Sequence, residues 1–177
     1  MGEVKNPKEV KLVLGIIVDG IQTFEKTKEI IKTTFGDIDI QSKIISFEHT
    51  DYYKKEMGDN LLRLWVSNEE LVNEKELAEI KLKTNDIEKT LVRKDGSRRI
   101  NLDPGYLTLS KFVLTSTKDY AHRIYIGKGI YGEVTLIYRN RSFQVLEWTY
   151  PDYRERTALE FFEKVRNKYI KQLRGEL

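Results

Sequence analysis

Between Asn101 and Arg141 the sequence reads NLDPGYLTLSKFVLTSTKDYAHRIYIGKGIYGEVTLIYRNR. Here β-branched and aromatic residues alternate with turn formers. Runs of this composition, broken at Ser116 to Tyr120, at Gly127-Lys128-Gly129 and at Arg139-Asn140-Arg141, fold as an antiparallel meander. We expect strands over Leu109 to Thr115, His122 to Ile126, Ile130 to Tyr138 and Phe143 to Leu146. A three-residue turn at Gly127-Lys128-Gly129 would set Ile126 opposite Ile130, Tyr125 opposite Tyr131, Ile124 opposite Gly132 and Arg123 opposite Glu133. That register places the tyrosines and the arginine–carboxylate pair on one face, and Ile124, Ile126, Ile130 and Val134 toward a core. A meander has an apolar face to bury, so the rest of the chain must supply its cover.

The preceding residues alternate between strand and helix signals. Lys11 to Val18 (KLVLGIIV) is nearly continuous in apolar residues and reads as a strand buried on both faces. Asp19 and Gln22 have capping-box spacing, Phe24, Thr27, Ile31 and Phe35 recur at helical intervals, and Gly36 stands where a helix ends. Ile38 to Phe47 and Leu61 to Val66 (LLRLWV) read as strands, and Glu48 to Asn60 is too polar for a core. Ser67 and Asn73 are candidate caps for a helix whose buried face is Leu77, Ile80, Thr84, Ile87 and Leu91. Arg99 to Leu102 reads as a fourth strand. Strand, helix, strand, strand, helix, strand is the ferredoxin-like β-α-β-β-α-β order. Pro151 and Asp152, with Glu155, open a last helix bearing Phe162, Val165, Tyr169 and Leu173. The expected architecture is therefore a single α+β domain over residues 1–177: a ferredoxin-like start, an antiparallel β-meander and a C-terminal helix, with helices mainly on one face.

Composition narrows the chemistry. The 177 residues contain no cysteine, which excludes disulfides, thiolate metal sites and cysteine nucleophiles. The longest apolar run, Leu12 to Val18, is too short to span a bilayer, and the N-terminal residues lack a signal-peptide pattern; a cytoplasmic protein without membrane partners is expected. The first 92 residues carry 14 basic and 18 acidic side chains, while the remaining 85 carry 17 and 10. The balances of −4 and +7 point to an anionic partner on the C-terminal half, although acidic residues are interleaved throughout and a plainly solvated surface is the simpler reading.

The blocks HTDYYKKEMG, AEIKLKTNDIE, NLDPGYLTLSK, STKDYAHRIYIGKGIYGEVTLIY and EWTYPDYR resemble an uncharacterised prokaryotic family known as domain of unknown function 4416. The resemblance covers nearly the whole chain. It implies a small stand-alone protein and brings no activity with it.

His49 and His122 are the side chains that titrate near neutrality, and each has a carboxylate close in sequence, Asp51 and Asp119. The catalytic candidates are His122, Asp119, Asp103 and His49, with Ser110, Ser116 or Thr117 available as a hydroxyl. Against this, Ser116, Thr117 and Asp119 are ordinary turn residues. The Asp103-Pro104-Gly105 segment reads as a tight turn that aims Asn101 and Asp103 into a cleft. No metal is expected, because no histidine pair or carboxylate run has ligand spacing, and no cofactor is implied. Gly127-Lys128-Gly129 lacks the helix and the Gly-Lys-Ser/Thr ending of a phosphate loop.

Basic and aromatic residues alternate through the C-terminal half, and arginines with tyrosines on a sheet can hold phosphates and stack bases. The ligand-binding candidates are Asn101, Lys118, Arg123, Tyr125, Tyr131 and Arg154. Three functions compete: a domain, enzymatic or not, for a phosphorylated or nucleotide-like anion; an RNA-binding module; and a sheet serving an oligomer interface with no small ligand. Convergent cations in a pocket favour the first, a flat basic face the second, and an apolar face buried between copies the third.

Overall fold

The structure, a computed structural model, describes residues 2–48 and 53–176. It is a mixed α+β fold: nine strands form one antiparallel sheet, covered by three long helices. The elements run β1 (Val10–Val18), α1 (Ile21–Phe35), β2 (Ile38–Gln41), β3 (Ile45–Ser46), a short α2 (Lys54–Met57), β4 (Leu62–Val72), α3 (Leu77–Thr90), β5 (Ile100–Leu107), β6 (Lys111–Ser116), β7 (Ile124–Gly127), β8 (Ile130–Arg139), β9 (Ser142–Val145) and α4 (Arg156–Arg174). The sheet order is β2-β4-β1-β5-β6-β8-β7, with β3 added beside β4 and β9 beside β8.

All nine residues of β1 are buried, as its apolar run requires, and that burial needs cover on both sides. On one face Leu12, Leu14, Ile16 and Val18 pack with Phe24 and Ile31 of α1 and with Ile80 and Ile87 of α3. On the other, Val13 joins Trp65, Phe112 and Leu136 beneath Phe161, Phe162, Val165 and Tyr169 of α4. Helices therefore flank both faces, which corrects the expectation of one. Lys11 is charged yet fully buried in this layer, held by Asp39 at 2.5 Å and by Gln172 Oε1 at 2.8 Å, so it ties α4 to the sheet. Burial lowers the Lys11 pKa, and the Asp39 carboxylate only partly offsets this.

Several local expectations are corrected. Asp19 does not cap α1, whose N-cap is Gly20 with no side-chain bond; it accepts instead from Thr23, Arg93 and Arg99. Ser67 lies inside β4, which continues to Val72, and Asn73 caps a 3-10 turn before α3 by accepting from Lys75 N. The strand expected over Ile38 to Phe47 is interrupted at Ser42, whose hydroxyl accepts from Trp65 N at 2.9 Å. Asp103-Pro104-Gly105 is not a turn but the middle of β5. Proline is tolerated there because pairing with β6 begins only at Gly105, so the missing N–H leaves no ladder bond unmade. Gly105 is required: a Cβ would stand 2.4 Å from Val113 O and 2.5 Å from the Phe112 ring.

The hairpin register has Tyr125 opposite Tyr131 and Ile124 opposite Gly132, as expected, but Gly127 rather than Ile126 faces Ile130. Gly127, Lys128 and Gly129 all have positive φ, so the turn is tighter and one residue bulges. Ile130 is buried while Ile124 is 74% exposed and Ile126 38%, contrary to the core position expected for both. β7 is an end strand of the sheet, paired on one side only, with β8.

Candidate functional site

Strand pairing places side chains of β4, β1 and β5 in rows on the α4 face. One row is Trp65, Gly15 and Asp103; the next is Arg63, Ile17 and Asn101. With no side chain on Gly15, space opens above β1, and the Arg63 guanidinium occupies it. A Cβ at Gly15 would lie 2.5 Å from Tyr153 Oη and 2.9 Å from Arg63 Nη2. Beside this row β5 and β6 diverge, since β6 pairs only with residues 105–107 of β5. α3 supplies the missing ladder partners: Glu88 Oε1 accepts from Leu102 N at 2.7 Å, and Lys81 Nζ donates to Leu102 O at 2.8 Å. The gap leaves a cleft of about 810 Å³ floored by Arg63, Ile17 and Tyr153, with Lys81 and Glu88 on one wall and Ser116, Lys118 and Arg123 on the other.

Among the described residues six cations line it (Arg63, Lys81, Lys89, Arg98, Lys118, Arg123) against four carboxylates (Glu88, Asp103, Glu133, Asp152), so the described lining has a surplus of cations. Most are tied to one another. Arg123 donates to Glu133 at 2.8 Å, Ser116 Oγ at 2.9 Å, Lys118 O at 2.9 Å and Tyr150 Oη at 2.7 Å. Arg98 forks onto Glu56 at 2.7 Å through both Nε and Nη2 and reaches Glu88 at 3.1 Å. Burial pushes the Glu88 carboxyl above its usual range, and Lys81 and the Leu102 N–H offset only part of that.

Arg63 differs. Its side chain is 1% exposed, and its guanidinium lies over the Trp65 ring at 4.6 Å and the Tyr153 ring at 5.0 Å. Nε stands 2.8 Å from Asp152 Oδ2 but out of line for a hydrogen bond, and among the described residues neither Nε nor Nη1 has a hydrogen-bond partner. Tyr153 Oη and Trp65 Nε1, on rings that meet edge to face at 5.6 Å, also have no hydrogen bond of good geometry among the described residues. Burial opposes the Arg63 charge, but Asp152, Tyr153 and Asp103 outweigh it and raise its pKa.

Of the residues singled out by sequence, Asn101, Asp103, Lys118 and Arg123 line the cleft. Asn101 Nδ2 donates to Asp103 Oδ2 at 2.6 Å, and Lys81 Nζ reaches Asp103 Oδ1 at 3.3 Å. His122 lies behind the wall: its Nε2 is 3.1 Å from Glu133 Oε2, and its ring is stacked between Tyr120 at 6.1 Å and Trp148 at 5.2 Å. The carboxylate on His122 is thus Glu133 and not Asp119, which is exposed and outside the lining. Tyr125 and Tyr131 meet edge to face at 5.5 Å on the hairpin, away from the cleft. Arg154 donates to the carbonyls of Thr149, Leu146 and Glu147 and secures the loop before α4. His49 and Asp51 lie outside the described residues. Arg63, Lys81 and Glu88 were not singled out by sequence, and Tyr153 only as one of the tyrosines alternating with basic residues, although a lone arginine in LLRLWV and charges on the apolar stripe of α3 were visible signals. Among the described residues no group of three or more His, Asp or Glu is placed to hold a metal ion, and no helix is long and apolar enough to cross a membrane. A second depression, of about 620 Å³ near Tyr106, Val113 and Ile126, has Glu74 and Lys75 as its charged lining.

Fold and site together define an α+β protein whose split sheet holds a buried, under-bonded arginine in a positively lined cleft. The chain belongs to the family described as domain of unknown function (DUF4416), whose model matches residues 8–169. No curated protein and no solved structure matches it.

Proposed function

We propose that the cleft binds the oxyanion of a phosphorylated or nucleotide-like small molecule, with Arg63 and Tyr153 as its floor. The observation that carries this is the set of buried donors without a partner among the described residues on two side chains that line the cleft, Arg63 Nε and Nη1 and Tyr153 Oη. A buried donor without an acceptor costs about 1–3 kcal/mol, and a ligand rich in acceptor oxygens relieves several at once. A guanidinium suits phosphate because its planar fork presents paired N–H groups. Lys118 and the surplus positive lining favour entry of an anion. We read the surrounding β1–β5 unit as ferredoxin-like. What supports this is the spatial order β2-β4-β1-β5, all antiparallel, with α1 and α3 on one face.

Thermal-shift titration with inorganic phosphate, sugar phosphates, nucleotides and short oligonucleotides tests the reading. A ligand at a hundred times its dissociation constant stabilises by about 2.7 kcal/mol, or roughly 5–10 °C for a chain this size. The Arg63→Met/Asp152→Met variant removes the guanidinium together with its counter-charge and should abolish the response. An unchanged response in that variant, or none from any phosphate in the wild type, overturns the proposal. Oligonucleotides binding with a steep salt slope while mononucleotides fail would move the site to RNA.

A further inference from the structure

We infer that the ligand carries hydroxyl groups beside its oxyanion, as a phosphorylated sugar does, free or as the ribose of a nucleotide, and that Asp103 receives them. This rests on the oxyanion reading above and narrows it.

Asp103 lies directly across from Gly15, over which the Arg63 guanidinium extends. Directly opposed positions on one sheet face hold their Cβ atoms about 4.5–5.5 Å apart. Asp103 and the guanidinium are therefore neighbours, and the carboxylate helps hold the charge on Arg63. Yet among the described residues the two form no ion pair: Arg63 is paired with Asp152, and Asp103 with Lys81. One ligand group fits between them. An oxyanion on Arg63 then places its adjoining carbons over β1, within reach of the carboxylate.

The demands of the two sides differ. The floor lacks acceptors, whereas Asp103 is an acceptor. A carboxylate offers about four lone-pair sites, and two are used here, by Asn101 and Lys81. Its side chain remains 25% exposed toward the cleft. Around it stand Tyr53, Tyr150 and Tyr153, whose phenols are pushed up first by burial and further by the Asp103 charge. Neutral phenols and a fixed carboxylate suit hydroxyl groups. A second anionic group at the same place would meet like charge, so the complement of Asp103 is a neutral donor next to the phosphate.

The test compares ethyl phosphate, which has no hydroxyl, with glycerol 3-phosphate, ribose 5-phosphate and adenosine monophosphate on the wild type by calorimetry. The hydroxylated esters should bind at least tenfold more tightly than ethyl phosphate, the usual consequence of a ligand covering a charged acceptor without bonding to it. Asp103→Asn should erase most of that ratio and strengthen ethyl phosphate, because the like charge is gone. Tighter binding of ribose 5-phosphate than of adenosine monophosphate assigns the free sugar, and the reverse order assigns the nucleotide; both support the inference. Equal affinity for ethyl phosphate and the sugar phosphates overturns the inference and leaves the oxyanion reading standing. Preference for phosphoethanolamine over glycerol 3-phosphate also overturns it, in favour of an ammonium donor. If none of the esters binds, the inference falls together with the oxyanion reading. The wild-type series decides these outcomes even if Asp103→Asn folds poorly.

Discussion

Replacing Arg123 by methionine should be among the most damaging single changes in the protein. The pair it breaks is buried, with side-chain exposures of 2% for Arg123 and 1% for Glu133 and an Nε–Oε2 distance of 2.8 Å. After the change Glu133 keeps, among the described residues, Thr135 Oγ1 at 3.1 Å and the His122 ring at 3.1 Å, and its charge has lost its guanidinium partner. Removing one partner of such a pair costs about 3–5 kcal/mol. At roughly 2–4 °C per kcal/mol for a chain of this length, the midpoint should fall by about 6–20 °C. Glu133→Gln should cost less, since the amide oxygen still accepts from Arg123 Nε and the guanidinium retains Ser116, Lys118 O and Tyr150. The double variant Arg123→Met/Glu133→Met should be more stable than Arg123→Met alone, because it leaves no unpaired charge. Guanidinium chloride unfolding of the wild type, both Met singles and the double closes the cycle, with an expected coupling of about 2 kcal/mol or more. Additive losses, or an Arg123→Met cost below about 1 kcal/mol, would refute the view that this pair is desolvated and interlocked.

Gly105→Ala should destabilise by about 1–3 kcal/mol or more, read by chemical denaturation, because its methyl would meet the Val113 carbonyl at 2.4 Å and backbone cannot swing aside as a side chain can. Gly15→Ala meets Arg63 and Tyr153 instead; its unfolding cost should be smaller, while phosphate-induced thermal stabilisation is lost. Asp19 and Glu88 should give opposite pH trends in urea unfolding between pH 3 and 8. Burial raises the Asp19 pKa, but bonds from Arg99 and Thr23 and the charges of Arg99 and Arg93 bring it below 3.8. Its contribution is therefore present above the unfolded value and lost as pH falls through the folded one, and Asp19→Asn should flatten the acid limb. Glu88, raised above 4.5, contributes stability below that value and loses it as pH climbs through its folded pKa, so Glu88→Gln should gain on the wild type as pH rises.

Strand and helix identity was legible where periodicity was strong and neighbours were local. The β1 run follows from its apolar continuity, and the Tyr125–Tyr131 register and the Arg123–Glu133 pair hold although the turn is tighter than expected, because the bulge between Tyr125 and Gly127 absorbs the difference. What failed depended on distant partners. Ile124 and Ile126 have the chemistry of core residues, but they sit on an end strand of the sheet and stay partly exposed, and composition does not say which strand ends at the edge. Asp103-Pro104-Gly105 has turn chemistry that the tertiary context overrides: β1 on one side and the late start of β6 on the other hold it extended. The site was half visible. Asn101 and Asp103 stood out by type, whereas Arg63 was read as part of an apolar strand, because nothing in LLRLWV indicates that Gly15 of another strand makes room for it.

The two buried arginines make the distinction between scaffold and site a physical one. Arg123 is held by four hydrogen bonds to three side chains and a carbonyl, so its donors are committed and it fixes the turn before β7 against β8 and Tyr150. Arg63 is more enclosed and less bonded: two aromatic rings and the charge of Asp152 keep it in place while its Nε and Nη1 donors are unmet among the described residues. Packing and Coulomb attraction position a group without consuming its hydrogen-bonding capacity. A fully bonded guanidinium would have to break existing bonds to take a ligand, whereas one held by ring faces gains bonds at the moment of binding. That asymmetry is why the oxyanion is assigned to Arg63 and not to Arg123, although Arg123 was the more conspicuous cation in the sequence. Gly15 completes the arrangement, since any side chain there would fill the space the guanidinium needs.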